Sequence, residues 1–449
     1  MSTRTASLEC PPTQVLSPVS RPRRSPWLRS PAFWMVVVAF AVRIGFMLAA
    51  RTYLFDAYRI DEYSYHNETT SIARSIAEGR GFSSPFSADY TGPTSWIAPV
   101  YPYLCALFFR CFGVFSTKAA IALILLQSLI SALTCVPILG IAKRTVGPRA
   151  GIPAALLWAI FPWFSKWAVC WIWEISLSTL LFACLFWYAL RLAEPASWKL
   201  WLGFGALWGF ALLVNPALLT LLPPSLVWCA YQMRSPERAF ALEPAQVWWQ
   251  QWTKHALVAA AACLLVISPW LVRNRVVLGQ WAFVRGNFGF EFWLGNARYA
   301  TPRGWIKQHP MGNAAELQRY RTMGEPTYVR SKLREALSAV RENPSRAIHT
   351  TAQRVAYFWD GSAMGYRPQV VWYWLPWSFA WFSFLLLPSM LFAILRRVRA
   401  WPLFFAVLLL YPIPYYITYS QVRYRHVLEP LMLLLLACLL PLRQPRNEH

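Results

Sequence analysis

Long apolar runs recur along this 449-residue chain and limit what it can fold into. Residues 33–50 (FWMVVVAFAVRIGFMLAA) and 427–442 (VLEPLMLLLLACLLPL) approach the ~20 residues that a helix needs to cross a bilayer. Apolar and aromatic residues make up 57% of the chain and charged residues only 14%, whereas soluble domains carry about 25% charged residues. The sequence therefore predicts an all-α polytopic membrane protein, and it excludes a disordered chain or an ordinary soluble enzyme.

The spacing of the apolar runs predicts about ten membrane-spanning helices. They are 33–50, 118–141, 150–170, 175–192, 199–214, 217–232, 255–272, 374–395, 401–418 and 427–442. With the N-terminus inside, every short inside loop carries Lys or Arg, as the positive-inside rule expects. Membrane topology thereby explains much of the net charge of +24, and no nucleic-acid partner is predicted. Residues 97–113 are also apolar but contain two prolines and Arg110, so we expect a short helix at the outer interface.

This topology predicts four parts of the chain. Residues 1–32 are a basic cytoplasmic tail, and residues 33–272 are an N-terminal transmembrane module that includes the first outer loop, 51–117. Residues 273–373 are an outer, mostly helical segment, and residues 374–449 are the C-terminal transmembrane helices. The outer segment holds 15 Lys and Arg against 6 Asp and Glu, which suits an anionic ligand.

The first outer loop holds an acidic pair, Asp61 and Glu62, shortly after the first apolar run. Tyr65 follows Asp61 by four residues, so the two share a face of any helix formed there. Taken alone, Asp61 is more typical of a helix N-cap. A carboxylate at the membrane surface is also suited to take a proton from an acceptor hydroxyl.

The order of motifs in this loop resembles the first outer loop of the GT-C superfamily of integral-membrane glycosyltransferases. The motifs are Asp61-Glu62, Tyr65, Gly79-Arg80-Gly81-Phe82, Pro93-Thr94-Ser95-Trp96, Pro99-Val100-Tyr101-Pro102 and Phe112-Gly113. The chain is most similar to the branch that contains protein O-mannosyltransferases and the bacterial lipid A aminoarabinose transferase. This resemblance implies a GT-C-type transmembrane helical bundle. It also implies an inverting sugar transfer from polyprenyl phosphate on the extracytoplasmic face, with Asp61 as general base.

Three further segments extend the resemblance over most of the chain. Glu174 precedes a predicted span, where the family often has a second acidic residue; the alternative is a snorkelling side chain paired with Lys166. Residues 269–296 resemble a basic, aromatic loop of bacterial members, and residues 419–430 resemble the final outer loop with its Arg-Tyr-Arg element. One departure is Asn215-Pro216, which stands where lipid A transferases often carry a lysine. That departure argues against aminoarabinose as the sugar.

Arginines in these outer loops are candidates for binding a phosphate, because arginine offers planar, bidentate donors to phosphate oxygens. The predicted substrate-binding residues are Tyr65, Arg273, Arg275, Arg285, Arg423, Arg425 and His426, and the predicted catalytic residues are Asp61, Glu62 and Glu174. An arginine beside a span can equally contact lipid headgroups. The sequence contains no familiar metal or cofactor motif, so neither is predicted, although the acidic residues leave a divalent cation open.

The sequence thus predicts a glycosyltransferase of the bacterial inner membrane. It would transfer a sugar from a polyprenyl-phosphate donor to an extracytoplasmic hydroxyl of a glycan, lipid or protein. One alternative is a transporter or flippase for lipid-linked sugars, which usually has ionisable residues within its spans and repeated halves. Only Arg43 lies well within a predicted span, and no repeat is evident. The second alternative is a non-catalytic assembly factor for envelope glycans, which needs no acid at position 61.

Overall fold

The computed structural model describes residues 30–55, 65–86, 89–192, 197–234, 245–304, 306–361 and 375–440. In these ranges the regular secondary structure is helical, and extended pairing is limited to one isolated antiparallel bridge between Ser83 and Pro93. The all-α class predicted from the sequence is therefore confirmed for the described part of the chain.

Helices follow one another along the whole described chain. The first half contains α1 (Pro31–Ala50), α2 (Glu68–Ala77), α3 (Val100–Phe112), α4 (Thr117–Leu133), α5 (Cys135–Arg144), α6 (Pro148–Ile160), α7 (Pro162–Val169), α8 (Ile175–Leu192), α9 (Trp198–Val214) and α10 (Leu222–Met233). The second half contains α11 (Ala245–Leu278), α12 (Phe288–Asn296), α13 (Ala314–Met323), α14 (Glu325–Glu342), α15 (Pro344–Asp360), α16 (Leu375–Leu395), α17 (Trp401–Leu410), α18 (Ile413–Ile417) and α19 (Glu429–Ala437). Short 3-10 helices cover Pro216–Leu221, Ile306–Gln308 and Val422–Leu428. Proline begins α1, α6, α7 and α15, where its missing N–H is not needed for helix hydrogen bonding.

Four stretches of helix are long and apolar enough to cross a membrane. They are Pro31–Ala50, Thr117–Arg144, Ile175–Leu192 and Trp248–Leu278. A fifth is added if α6 and α7, which meet at a bend of 51°, count as one span. Other apolar helices, such as Trp198–Val214 and Trp401–Ile417, are shorter. The described helices support an integral membrane protein, but they do not confirm the count of ten spans.

The last predicted span, 427–442, is shorter in the structure than its composition suggested. Its α-helix, α19, has 9 residues, which extend about 14 Å against a hydrocarbon core of about 30 Å. The leucines at 431 and 433–435 are all buried, and α19 packs against α6 and α16. A helix that is apolar on every side belongs in the interior of a bundle, so the composition reflects a central position.

Small residues allow α9 and α11 to pack closely. Gly205 and Gly209 are four residues apart and share one side of α9. A Cβ atom on Gly205 would lie 2.0 Å from the carbonyl oxygen of Ala259, and one on Gly209 would lie 2.6 Å from Cβ of Val266. This is the small-xxx-small pattern that lets membrane helices approach backbone to backbone.

Arg43, the charged residue inside α1, links three helices. Its guanidinium donates to the hydroxyl of Ser131 at 2.9 Å and to the carbonyl oxygens of Ala39 at 2.9 Å, Trp158 at 3.3 Å and Ala159 at 3.3 Å. A charge within a membrane bundle is costly unless polar groups surround it. These bonds give Arg43 a structural role between α1, α4 and α6.

The outer segment is fastened to the first outer loop by Glu325, the first residue of α14. Its carboxylate accepts hydrogen bonds from the hydroxyls of Thr94 and Tyr320, and from the backbone N–H and hydroxyl of Ser95 at 2.7 and 2.9 Å. Burial raises the pKa of Glu325, and these hydrogen bonds oppose the rise. The Pro93-Thr94-Ser95-Trp96 motif is therefore an anchor for the start of α14.

A buried ion pair stabilises the outer helices. Nζ of Lys332 lies 2.9 Å from Oε2 of Glu316, which also accepts the hydroxyl of Tyr328 at 2.8 Å. The same ammonium lies 4.0 Å from the ring centroid of Trp293 on α12, a cation–π contact. Helices α12, α13 and α14 therefore form one packed unit.

Candidate active site

The predicted base, Asp61, and its neighbour Glu62 lie outside the described residues. Phe55 and Tyr65 flank that part of the chain, and their ring centroids are 4.9 Å apart. Tyr65 is buried, and its hydroxyl lies 3.5 Å from the carbonyl oxygen of Ser116. Tyr65 therefore packs into the protein core at the base of the first outer loop.

Helix α2 begins later than the sequence predicted. Asn67 is the N-cap, its side chain accepts the N–H of Thr70, and the hydroxyl of Thr70 accepts the N–H of Asn67. This reciprocal arrangement is a capping box. The first residue of α2 is therefore Glu68, so Tyr65 precedes the helix. At the C-terminal end, Gly79 follows the helix with a φ of +80°, a conformation common after helix ends.

Glu174 lies in the short turn between α7 and α8, and its side chain is 8% exposed. Its Oε2 atom has no hydrogen-bond partner among the described residues. Burial raises the pKa of Glu174 to about 7, although Arg285 and Arg423 act in the opposite direction. A carboxylate with this pKa exchanges its proton near neutral pH.

Gln127, a buried residue of α4, holds the turn that carries Glu174. Its side-chain nitrogen donates to the carbonyl oxygens of Ala168 at 3.0 Å and Trp171 at 2.9 Å. Its side-chain oxygen accepts the N–H of Trp173 at 3.0 Å and the hydroxyl of Tyr101. One amide side chain therefore satisfies the backbone of the turn on both sides.

Arg285 joins the first outer loop to the carboxylates. Its Nε donates to the carbonyl oxygen of Trp96 at 3.1 Å, and its Nη2 lies 3.3 Å from Oε1 of Glu291. Burial lowers the pKa of Arg285, but the charges of Glu291, Glu174 and Glu68 together raise it above its usual value. Arg285 is thus the shared cation of three carboxylates.

Arg423, on the 3-10 helix before α19, approaches Glu174 from another part of the chain. Its guanidinium carbon lies 4.1 Å from the ring centroid of Trp171, 5.5 Å from that of Trp173 and 5.0 Å from that of Tyr424. The electrostatic interaction with Glu174 acts to lower the pKa of that carboxyl. Cation–π packing fixes Arg423 in position.

Glu68 and His309 add a pair that sequence reasoning missed. Nε2 of His309 lies 3.1 Å from Oε1 of Glu68, and Nδ1 of His309 accepts the N–H of Met311 at 3.3 Å. Burial raises the pKa of Glu68, but the hydrogen bond with His309 and the charge of Arg285 lower it below its usual value.

Five charged groups are linked electrostatically through Arg285 and Glu174, and we call them the carboxylate–arginine cluster. They are Glu68, Glu174, Glu291, Arg285 and Arg423. Three carboxylates face two guanidinium groups. The side chains of Arg285 and Glu291 are 24% and 21% exposed, so the cluster is partly accessible from outside the protein.

Arg425 and His426 contact a different carboxylate, Glu429. Arg425 is fully buried, with Nη2 at 3.3 Å from Oε1 of Glu429 and Nη1 donating to the carbonyl oxygens of Phe379 and Trp359. Nδ1 of His426 lies 2.6 Å from Oε2 of Glu429. These contacts link α19 to α15 and α16.

Arg273 and Arg275 bind backbone carbonyl groups. Arg273 donates to the carbonyl oxygens of Thr94 at 2.6 Å and Phe82 at 2.9 Å, and its guanidinium stacks over Trp270. Arg275 is exposed and donates to the carbonyl oxygen of Gly279 at 2.7 Å. Of the predicted substrate-binding residues, the structure brings Arg285 and Arg423 to Glu174.

Some of the residues that were not predicted from the sequence had a recognisable sequence signal, and others had none. Glu291 lies inside segment 269–296, where it is a single acidic residue among several basic ones. That contrast was a signal by which it could have been predicted. Glu68 and Gln127 lie in unremarkable polar positions, and His309 lies in a segment without a motif. In the described part of the chain, no group of three His, Cys, Asp or Glu residues is suited to hold a metal ion.

Comparison with known proteins identifies the fold. Residues 96–272 match the family described as dolichyl-phosphate-mannose-protein mannosyltransferase. The apo oligosaccharyltransferase of Archaeoglobus fulgidus is 13% identical, with a TM-score of 0.52 over 92% of this chain and 51% of that one. The same enzyme tethered to an acceptor peptide is 14% identical, with a TM-score of 0.50 over 91% and 49%. This chain has the GT-C fold.

The structural match covers most of this chain but only part of the related archaeal chains. The chain spans about half the length of the archaeal oligosaccharyltransferase chains. ArnT from Cupriavidus metallidurans bound to undecaprenyl phosphate is 14% identical over 89% of this chain and 78% of that one, at a TM-score of only 0.43. No curated protein sequence matches the chain significantly. The chain thus resembles the GT-C glycosyltransferases and their O-mannosyltransferase branch.

Proposed function

We propose that this protein is a membrane glycosyltransferase that moves a sugar from a polyprenyl-phosphate carrier to a hydroxyl group outside the cytoplasm. The acceptor is a glycan, a lipid or a protein. The observation that carries the proposal is the buried carboxylate of Glu174, on which the charges of Arg285 and Arg423 act and one oxygen of which has no hydrogen-bond partner among the described residues. The family match, which is named for a dolichyl-phosphate sugar donor, supports the same class of donor.

The reaction needs a positive charge for the leaving group. When the bond between the sugar's anomeric carbon and the phosphate oxygen breaks, the electron pair goes to the phosphate. Fixed guanidinium groups stabilise that developing charge. We assign this role first to Arg285 and Arg423, because the charges of both act on Glu174.

The reaction also needs a base for the acceptor. The acceptor oxygen forms a new bond to the anomeric carbon on the opposite face, which inverts the configuration, and its proton passes to Asp61. Glu62 and Glu174 orient the acceptor or the base. A positioned base typically contributes about 10²–10⁴-fold to the rate.

The remaining predicted residues support this site from a distance. Arg273, bonded to carbonyl groups of the first outer loop, holds that loop in place, and Tyr65 supports its base. Arg275 contacts the carrier or the lipid headgroups, because it is exposed. Arg425 and His426, bonded to Glu429, position the segment that carries Arg423.

The proposed location is the bacterial inner membrane, with the reaction on the outer face. The basic short loops between the predicted spans support this orientation. The bonding of Arg43 to four groups of its own helix bundle gives no support to a transport pathway.

A reconstituted assay tests the proposal. The full chain is placed in liposomes with polyprenyl-phosphate sugars that carry a labelled sugar, and acceptor fractions from the cell envelope are added. We expect the label to leave the carrier and to join an acceptor, with free polyprenyl phosphate as the second product. If the labelled lipid crosses the bilayer without chemical change, the protein is a transporter and the proposal is wrong.

A further inference from the structure

We propose that Glu325 is a positioning residue for the transfer reaction, because it fixes the segment Thr94-Ser95-Trp96 and through that segment orients Arg285. This inference rests on the proposed function, which assigns Arg285 to the donor phosphate. In this role Glu325 does not contact the substrate. Its effect passes through a continuous series of contacts that joins its carboxylate to the guanidinium group of Arg285.

The first step of the series is the buried carboxylate of Glu325. Oε1 accepts the backbone N–H of Ser95 at 2.7 Å and the hydroxyl of Ser95 at 2.9 Å. Oε2 accepts the hydroxyl of Thr94, whose oxygen in turn accepts the N–H of Trp96 at 2.9 Å. One carboxylate therefore fixes the N–H groups of both Ser95 and Trp96, directly in the first case and through one hydroxyl in the second.

The second step is the set of three consecutive carbonyl oxygens in the same segment, which accept hydrogen bonds from residues 273–286. The pairs are Thr94 with Nη1 of Arg273 at 2.6 Å, Ser95 with the N–H of Gly286 at 2.9 Å, and Trp96 with Nε of Arg285 at 3.1 Å. The approach is close, because a Cβ atom on Gly286 would lie 2.2 Å from the hydroxyl oxygen of Ser95 and 3.6 Å from Oε1 of Glu325. The segment thus joins Glu325 to the loop that carries Arg285.

The side chain of Trp96 prevents this end of the segment from moving independently. It is fully buried, and its ring centroid lies 4.7 Å from that of Phe86 and 4.8 Å from that of Phe290. A closely packed interior transmits displacements from one group to the next. The place of the Trp96 carbonyl oxygen therefore follows from how Glu325 holds the two preceding residues.

The last step is the guanidinium group of Arg285, which two hydrogen bonds hold in one plane. Nε is bound to Trp96, and Nη2 lies 3.3 Å from Oε1 of Glu291, which also accepts the side-chain N–H of Asn287 at 2.7 Å. Nη1 has no hydrogen-bond partner among the described residues, and the side chain is partly exposed. The N–H groups of Nη1 are available to a phosphate oxygen, in a direction set by the bond to Trp96.

Glutamine cannot take over the role of Glu325. The N–H of Ser95 can only donate, and the hydroxyl of Thr94 donates because its oxygen already accepts the N–H of Trp96. The NH₂ group of a glutamine would therefore face a donor whichever way its amide is turned. We expect Glu325→Gln to displace the segment and, with it, the acceptor that holds Nε of Arg285.

The binding of bare polyprenyl phosphate to the full chain in nanodiscs tests this inference, at a temperature well below the Tm of every variant. We expect Glu325→Gln to raise the Kd at least about fivefold, as the loss of a typical hydrogen bond does. In an Arg285→Lys background the same change should raise the Kd less than about twofold, because no guanidinium group remains to be oriented. A Kd equal to that of the wild type, or an equal rise in both backgrounds, overturns the inference.

Two further variants separate positioning from folding. Glu316→Gln alters a buried carboxylate of the same outer helices whose partners are Lys332 and Tyr328, so it should lower the Tm and leave the Kd within about twofold. A rise in Kd as large as that of Glu325→Gln would show general loosening and overturn the inference.

Thr94→Val keeps the shape of the side chain and removes the hydroxyl between Glu325 and Trp96. It should raise the Kd about threefold in the wild type and leave it unchanged in the Arg285→Lys background. This variant carries the test if Glu325→Gln does not yield folded protein, and equal Kd values for Thr94→Val and the wild type would then overturn the inference.

The same measurements distinguish failure of this inference from failure of the proposed function. If Arg285→Lys and Arg423→Lys both weaken phosphate binding while Glu325→Gln and Thr94→Val do not, the proposed function stands and the inference is wrong. If neither arginine variant weakens binding, the phosphate assignment and this inference fail together.

Discussion

The side-chain oxygen of Gln127 accepts the backbone N–H of Trp173 at 3.0 Å, one residue before Glu174. Nε2 of the same side chain donates to the carbonyl oxygens of Ala168 and Trp171. A residue in the middle of α4 thus sets the backbone of the turn that presents a buried carboxylate to two arginines.

Gln127→Leu should lower both stability and activity. The change leaves three buried backbone groups without a partner, and each such group costs about 1–3 kcal/mol. We expect a lower Tm in detergent and a larger loss of sugar transfer, because the turn no longer holds Glu174. Gln318→Leu, at an exposed position of α13, is the control. A Gln127→Leu protein with the Tm and turnover of the wild type would contradict this role.

Glu174 should make the protein less stable as the pH rises from about 4.5 to about 7. Its pKa is about 7 when folded against 4.5 as the ordinary value, so the folded state keeps a proton that the unfolded state releases. Above pH 7 the full cost is present, on the order of 3 kcal/mol. Glu174→Gln should remove this slope.

The measurement is the Tm of both proteins from pH 4 to pH 8 in the same detergent. Other acids titrate in this range, so the readout is the difference between wild type and Glu174→Gln. We expect the variant to gain relative to the wild type as the pH rises. Parallel curves would show that Glu174 titrates normally.

Asp61→Asn should abolish most of the turnover. Asparagine caps a helix about as well as aspartate, so a capping role predicts little change. A catalytic base predicts a loss of about 10²-fold or more in transfer rate, with the Tm and donor binding near those of the wild type. Glu62→Gln should cost less. The rates are measured with purified protein in lipid, and an Asp61→Asn rate within a few-fold of wild type would remove Asp61 from the mechanism.

Arg285→Lys and Arg423→Lys should weaken donor binding. Lysine keeps the charge but loses the planar pair of donors, and a lost charged hydrogen bond of about 1.5–3 kcal/mol corresponds to about a 10- to 100-fold change. The dissociation constant for polyprenyl phosphate is the measurement. Arg334→Lys, at an exposed position of α14, is the control. If both cluster variants bind the carrier like this control, the phosphate assignment is wrong.

Gly205→Leu should disrupt the bundle. Any Cβ there meets the carbonyl oxygen of Ala259 at 2.0 Å, whereas a Cβ on Gly45 of α1 meets nothing within 4 Å. We therefore expect Gly205→Leu to lower the Tm and the yield of monodisperse protein, and Gly45→Ala to change neither. Equal size-exclusion profiles for the two variants would contradict close packing of α9 and α11.

The sequence by itself determined the local features of this protein. Apolar runs predicted membrane helices, because a helix satisfies its own backbone and must bury its side chains in lipid or protein. The motifs of the first outer loop indicated the GT-C resemblance. Composition did not establish the number of membrane spans. The apolar residues of α19, for example, are buried inside the bundle, so an apolar run does not by itself identify a span.

Only the tertiary structure decided which charged residues meet. Glu68 and His309 are far apart in the sequence, and their contact depends on how the outer segment packs on the first outer loop. Arg423 and Arg425 were equivalent in the Arg-Tyr-Arg element, yet they point to different sides of a 3-10 helix, which turns by about 120° per residue. Arg423 therefore stacks on Trp171 beside Glu174, while Arg425 is buried against Glu429. Sequence spacing carries no information on which side faces the cluster, because that depends on contacts made by distant residues.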